Sequence, residues 1–228
     1  MMRERPIIAI DGPSASGKSS VARRVASDMG FTYLNTGAMY RAVAIAFKQA
    51  GIAPNDPNLE ERVAPILQAI KIDLEGDQVI LNGRDVTSEI SRFDIGDLAS
   101  TYSTLAPVRA RMREMQRAIG EAGGVVMEGR DIGTVVFPDA DCKFYFEASL
   151  EVRAARRLAQ LQANGVTTTR DEVLRELAER DRRDSGRALA PLRRADDAIV
   201  IDSSNLTFEQ AVSALEAVIQ GLHPRKRA

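Results

Sequence analysis

The chain has 228 residues, 44% of them hydrophobic and 28% charged, the make-up of a soluble globular protein with one core of ordinary size. A formal net charge of −1 excludes a nucleic-acid coat, and no apolar run approaches the ~18 residues that a membrane span needs. A single cysteine, Cys142, excludes an internal disulfide and a Cys-rich metal site, and a single histidine, His223, all but excludes histidine acid–base chemistry.

The opening residues, MMRERP, run straight into a short apolar stretch. That stretch is too short for the core of a signal peptide, so a cytoplasmic protein is expected. Residues 6–11 read as a buried strand, followed by Gly12-Pro-Ser-Ala-Ser-Gly17-Lys18-Ser19-Ser20 and a helix over 18–29. A second strand is expected over 31–34 and a helix over 39–49. Residues 70–87 read as an antiparallel hairpin: Ile70, Ile72 and Leu74 alternate with polar residues, Glu75-Gly-Asp77 turns the chain, and Val79 to Leu81 returns. A helix over 107–122 opens on a proline suited to a first turn and leads to a strand over 124–128. The strand 142–147 holds Cys142 as buried filler and precedes a helix over 150–164 capped by Ser149. Residues 169–187 read as a charged helix opened by the capping box Thr169-x-x-Glu172. Its apolar stripe of Val173, Leu174 and Leu177 is thin, which predicts weak docking and a segment able to move. A strand over 198–202 and a helix opened by the capping box Thr207-x-x-Gln210 follow, and the basic tail 223–228 reads as a disordered end.

The five main apolar runs lack polar alternation, as parallel strands covered on both faces do. The expected fold is therefore α/β, with a five-stranded parallel sheet, an inserted small antiparallel β sub-domain and a helical lid. One domain over 1–228 is expected, with 36–106 as the insertion and 150–190 as the lid region.

Gly12-x-x-x-x-Gly17-Lys18-Ser19 matches the Walker A pattern in full, between a strand and a helix. Glycines let backbone N–H groups face a phosphate, and the helix N-terminus adds partial positive charge. Gly12, Pro13, Ser14, Ala15, Ser16, Gly17, Lys18, Ser19 and Ser20 are thus the expected triphosphate site, with Lys18 on the β/γ-phosphates and the Ser19 hydroxyl on Mg²⁺. No Asn-Lys-x-Asp guanine-reading motif and no Leu-Ser-Gly-Gly signature is present, which argues against a GTPase and an ABC-type ATPase. A small-molecule kinase needs an acceptor site as well, and arginine, whose planar fork grips phosphate, recurs where one could lie. Arg41 opens a helix after the second strand, and Gly129-Arg130-Asp131-Ile-Gly133 follows the third at its C-terminal end, where α/β sheets bind ligands. Arg180, Arg183 and Arg187 fall on one face of the charged helix with Asp184, and the helix before it adds Arg153, Arg156 and Arg157. Such arginines are solvated surface or a lid that closes on a transferring phosphoryl group. A phosphate acceptor needs no general base; an alcohol acceptor would, and Asp131 could serve it.

The stretches IDGPSASGKSS (10–20), NTGAMYRA (35–42), EGRDIGTVVFPDA (128–140), ERDRRDSGRALAPL (179–192) and IDSS (201–204) resemble the bacterial cytidylate kinase family, along essentially the whole chain. The resemblance implies a three-layer P-loop fold of the nucleoside monophosphate kinase type, and transfer of the γ-phosphoryl group of ATP, with Mg²⁺, to CMP or dCMP. It implies that Arg41 and Arg130 hold the acceptor phosphate and that Ser100, Arg109 and Asp131 face cytosine. It implies that Arg180, Asp184 and Arg187 serve ribose and phosphate, with Thr36 and Tyr40 lining the site. Lys18, Arg130, Arg180 and Arg187 are then the expected catalytic set, with Arg157 on the ATP side. The expected partners are small molecules alone, with no nucleic acid and no membrane, and a monomer suffices. Asn35 and Glu128 stand where the family often has Asp.

Overall fold

The computed structural model describes residues 3–222; His223 and the basic tail lie outside the described residues. The described chain divides into two compact units, one formed by 3–33, 122–186 and 190–222 and the other by 34–121 and 187–189.

The first unit is built on β1 (Ile7–Asp11), β6 (Val125–Gly129), β7 (Cys142–Glu147) and β8 (Ile199–Asp202). With β2 (Thr32–Asn35) they make a five-stranded sheet of order β2-β6-β1-β7-β8. β1 pairs parallel with β6 and β7, and β7 parallel with β8. All five residues of β1 and of β6 are buried, the signature of strands covered on both faces. Against one face pack α1 (Lys18–Met29) and α9 (Phe208–Leu222), through Val21, Ala22 and Val25 of the former and Val212, Leu215 and Ile219 of the latter. Two further helices, α7 (Leu150–Ala163) and α8 (Arg170–Gly186), share a smaller core of Ala154, Leu161, Val173 and Leu177. The thin stripe of α8 thus meets an equally thin stripe on α7.

Local signals set several helix ends. Thr169 and Glu172 exchange their capping-box bonds (Thr169 N to Glu172 Oε2, 2.8 Å; Glu172 N to Thr169 Oγ1, 3.3 Å), and Thr207 and Gln210 do the same at α9. The Ser149 side chain caps α7 by accepting from Val152 N. α8 stops at Gly186, one residue before the expected end, so Arg187 lies beyond the helix and falls within the second unit. Leu192 N turns back to donate to the Asp184 carbonyl at 2.8 Å, which closes the helix end.

The second unit is centred on α2 (Thr36–Gln49), whose Met39, Ala42, Val43, Ile45 and Phe47 are buried. α2 begins three residues before the expected start because Asn35 caps it, its side chain accepting from Ala38 N at 3.1 Å. The expected hairpin is a three-stranded antiparallel sheet of β3 (Ile72–Glu75), β4 (Gln78–Leu81) and β5 (Arg84–Asp85). Around them lie α3 (Leu59–Ala69), the single turn α4 (Thr87–Ile90), α5 (Phe93–Tyr102) and α6 (Ala106–Gly120). Tyr102 locks α5 into this unit, edge-on to Phe47 at 5.0 Å and donating to the Ile52 carbonyl at 2.8 Å.

Candidate active site

The loop after β1 can turn only with glycine at its first position. Gly12 has φ +150°, and a Cβ there would stand 2.4 Å from the Phe146 carbonyl oxygen of β7. Gly17 (φ 88°) and Ala15 (φ 61°) are also left-handed, and Gly17 leads directly into α1. Three loop carbonyls are engaged by side chains, two of them from outside the loop. The Ser14 carbonyl accepts from Arg153 Nη1 at 3.3 Å, and the Ser16 carbonyl from Ser203 Oγ at 2.7 Å and Arg156 Nη1 at 3.4 Å. The Pro13 carbonyl accepts from Ser16 Oγ at 3.1 Å and Lys18 Nζ at 3.0 Å. With these carbonyls engaged, the loop is organised to present N–H groups to an anion.

Two of the arginines grouped with the charged helix therefore brace the loop. Arg153 is buried, and its guanidinium also grips Asp181 of α8 with both nitrogens (2.6 and 3.2 Å). Arg156 further donates to the Ser203 carbonyl at 2.7 Å. Arg157 donates to Gln160 at 2.9 Å and is half-exposed. The bracing role of Ser203 carried no local signal in the sequence; residue type grouped Arg153 and Arg156 with the charged helix but did not name the loop as their target.

A cluster of charge lies at the ends of β1 and β6. Lys18 Nζ is 3.9 Å from Glu128 Oε2, and Glu128 Oε1 accepts from the Tyr33 hydroxyl at 2.9 Å. Lys18 and Glu128 are both buried. Burial and the nearby Arg130 lower the Lys18 ammonium to about 7, against the opposing pull of Glu128. Burial raises the Asp11 carboxyl to about 7, although the backbone N–H groups of Gly133 and Ile132 bond to it. Arg130 Nε donates to Asp184 Oδ2 at 2.8 Å, so the loop after β6 is tied to α8. Asp131 is buried and begins a π-helical turn, Ile132–Val136.

In the second unit, Thr36 is buried at the first turn of α2, with Tyr40 and Arg41 half-buried beyond it. Arg109 of α6 lies over the Tyr40 ring at 5.7 Å and donates to the Ser103 carbonyl at 3.2 Å. The Ser100 hydroxyl of α5 is buried without a hydrogen-bond partner among the described residues, an arrangement that calls for an outside partner. Beside the phosphate loop, a cleft of about 400 Å³ is lined by Pro13, Tyr145, Glu147, Ser149, Asp202 and Ser204. For a divalent ion, the half-buried Ser19 hydroxyl at the start of α1 is an oxygen donor of the kind Mg²⁺ takes, with Glu128 as the nearby carboxylate that could meet its waters.

The depressed Lys18 pKa has a measurable consequence. At pH 8 its amine is largely neutral; an anionic triphosphate favours the ammonium and raises its pKa. ATP binding is therefore expected to take up protons between about pH 7 and pH 9 and to cease doing so below about pH 6. Calorimetric titration in buffers of different ionisation enthalpy reads this directly, and a binding heat independent of buffer at pH 8 contradicts it.

Residues 8–221 match the family model described as cytidylate kinase. The cytidylate kinase of Geobacter sp. (strain M21) is 45% identical over 218 residues, covering 94% of this chain and 92% of the relative. That of Citrifermentans bemidjiense is 46% identical over 215 residues, and that of Thermotoga neapolitana 43% over 213, covering 94% and 93% of this chain and 92% and 96% of the relatives. Among solved structures, TT1252 from Thermus thermophilus shares the fold, with a TM-score of 0.51 and 20% identity over 96% of this chain and 99% of that one.

Proposed function

This chain belongs to the cytidylate kinase family, and on that premise we propose that it transfers the γ-phosphoryl group of ATP to CMP or dCMP. One observation carries the reading: the family match runs over residues 8–221 and so takes in the phosphate loop, Ser100, Arg109 and the Arg130–Asp131 loop together. The braced loop supports a donor triphosphate at Gly12–Ser20, and the adjoining cleft suits the nucleoside end of the donor.

On this reading Lys18 neutralises the charge that develops between the β- and γ-phosphates. Mg²⁺, held by Ser19, phosphate oxygens and water, would supply further charge neutralisation when bound. Arg41 and Arg130 hold the acceptor phosphate, whose oxygen is already anionic, so the protein supplies position and charge instead of a base. Arg180, Arg187 and Arg157 add positive charge from the region 150–190, acting as a lid, and 36–106 forms the acceptor-binding insertion. Ser100, Arg109 and Asp131 read cytosine, the unpaired buried hydroxyl of Ser100 being the feature that fits a base edge. Thr36 and Tyr40 line the acceptor site, and Asp184 orients Arg130. One chain supplies every residue this reading uses, so a monomer in the cytoplasm suffices.

A panel of CMP, dCMP, UMP, AMP and dTMP with MgATP tests the proposal; faster turnover of UMP or AMP than of CMP defeats it. Within that panel, Asp131→Ala is expected to narrow the preference for CMP over UMP by about tenfold or more, since loss of a partner at a hydrogen-bonding site is costly. An unchanged CMP/UMP ratio of kcat/KM removes Asp131 from the base-reading set.

A further inference from the structure

The mechanism above makes no use of Asp11, the last residue of β1 and the immediate neighbour of Gly12. Its side chain is buried, with 4% of its surface exposed, at the centre of the sheet. Both carboxylate oxygens are taken by consecutive backbone amides of one distant loop: Oδ1 accepts from Ile132 N at 2.9 Å and Oδ2 from Gly133 N at 2.8 Å. These amides follow directly on Asp131, where the chain leaves β6 and enters the π-helical turn. The first amides of a helical turn have no partner within it, and here one carboxylate 121 residues away satisfies two of them.

The seat is shaped for this contact. Gly133 leaves little room for a side chain: a Cβ would lie 3.1 Å from Lys143 Cδ, so the neighbour would have to move by a few tenths of an ångström. The Lys143 stem cannot give way easily, because its ammonium donates to the Pro138 carbonyl at 2.6 Å and to Asp197 at 2.8 and 2.9 Å. Burial works against the charge of this carboxylate, while its two bonds satisfy buried amides that would otherwise lack a partner. The same two bonds also set a registration that an apolar residue would not. It joins the residue that enters the phosphate loop to the backbone that carries Arg130 and Asp131.

We propose that Asp11 is a positioning residue for the acceptor: it fixes the Arg130–Asp131 loop against the entrance of the phosphate loop through the amides of Ile132 and Gly133. The proposal rests on the kinase reading above. The donor side should depend on Asp11 far less, because the phosphate loop is held independently by β1 pairing on both sides and by Arg153, Arg156 and Ser203.

Steady-state kinetics of Asp11→Asn and Gly133→Ala, beside the wild-type protein, test it. Asparagine keeps one acceptor and turns an amino group toward the second amide; alanine keeps the carboxylate and displaces its partner. Both variants are expected to raise the KM for CMP by about tenfold or more, to change the KM for ATP by less than about threefold, and to narrow the preference for CMP over UMP. An unchanged KM for CMP in both, or an equal rise in both substrates' KM, overturns the proposal. If Asp11→Asn does not fold, Gly133→Ala and its KM split decide the matter. Wild-type turnover of the monophosphate panel tests the kinase reading separately. Should another monophosphate prove the true acceptor, the same split is measured with that acceptor.

Discussion

Replacing Lys18 by alanine is expected to lower kcat by about 10²–10³-fold with every acceptor, and not to lower the thermal midpoint at pH 7. The two halves of this result have one cause. Lys18 sits buried between the Pro13 carbonyl and Glu128, already aimed into the loop. An ammonium in that position gains most when the charge of a transferring phosphoryl group develops beside it. In the free protein the same burial disfavours the ammonium, and its pKa falls from 10.5 to about 7. By linkage, Lys18 contributes stability that is fully present above pH 10.5 and is lost as pH falls to about 7. At neutral pH the folded protein holds Lys18 only partly ionised, at a cost relative to the unfolded chain, and alanine removes that cost. Turnover by Lys18→Ala within tenfold of wild type, or a marked drop in Tm at pH 7, contradicts this account.

Arg130→Met is expected to reduce kcat/KM for CMP by about 10³-fold and, unlike the lysine change, to destabilise the fold. Its guanidinium lies 2.8 Å from Asp184, and both side chains are largely shielded. Removing one member of such a pair costs about 3–5 kcal/mol when fully buried, and the partial exposure of Arg130 places the expected loss below that range. The double variant Arg130→Met/Asp184→Leu is expected to regain much of the lost Tm and none of the activity. Recovery of stability without turnover separates the packing of this pair from its phosphate chemistry. Wild-type affinity for CMP in Arg130→Met would show that the acceptor phosphate is held elsewhere.

The phosphate loop was legible because everything it needs is contiguous: an apolar strand, glycines at the turns, and a lysine at the head of a helix. The capping residues Ser149, Thr169 and Thr207 were legible for the same reason, each bonding within three residues. The helix α3 was not, since Pro65 interrupts its interior and its buried face shrinks to Val63 and Leu67. Nor was β5, two residues long and exposed at both. At the site, residue type pointed correctly to phosphate chemistry but not to which arginine does what. Arg153 and Arg156 look like a lid's charged face in sequence, yet their partners are carbonyls 139 and 140 residues earlier in the chain. Asn35 reads as a departure from the family pattern; in three dimensions it is the cap that starts α2. Pairings of this range are set by how strands stack in the sheet, which no local pattern encodes.

The strand order β2-β6-β1-β7-β8 also dictates a schedule for assembly. β1 is made before the other strands of this sheet, but both its neighbours lie beyond residue 124, so its pairing must wait until the whole of 34–121 has been made. The stretch 34–121, by contrast, holds nearly all of the second unit without interruption and can condense while β1 is still unpaired. The apolar strand Ile7–Asp11 thus has neither sheet neighbour until residues beyond 124 have been made. That long closure makes pairing of the central strand slow and opens a window for aggregation, the kinetic counterpart of a sheet whose central strand is made before either of its neighbours.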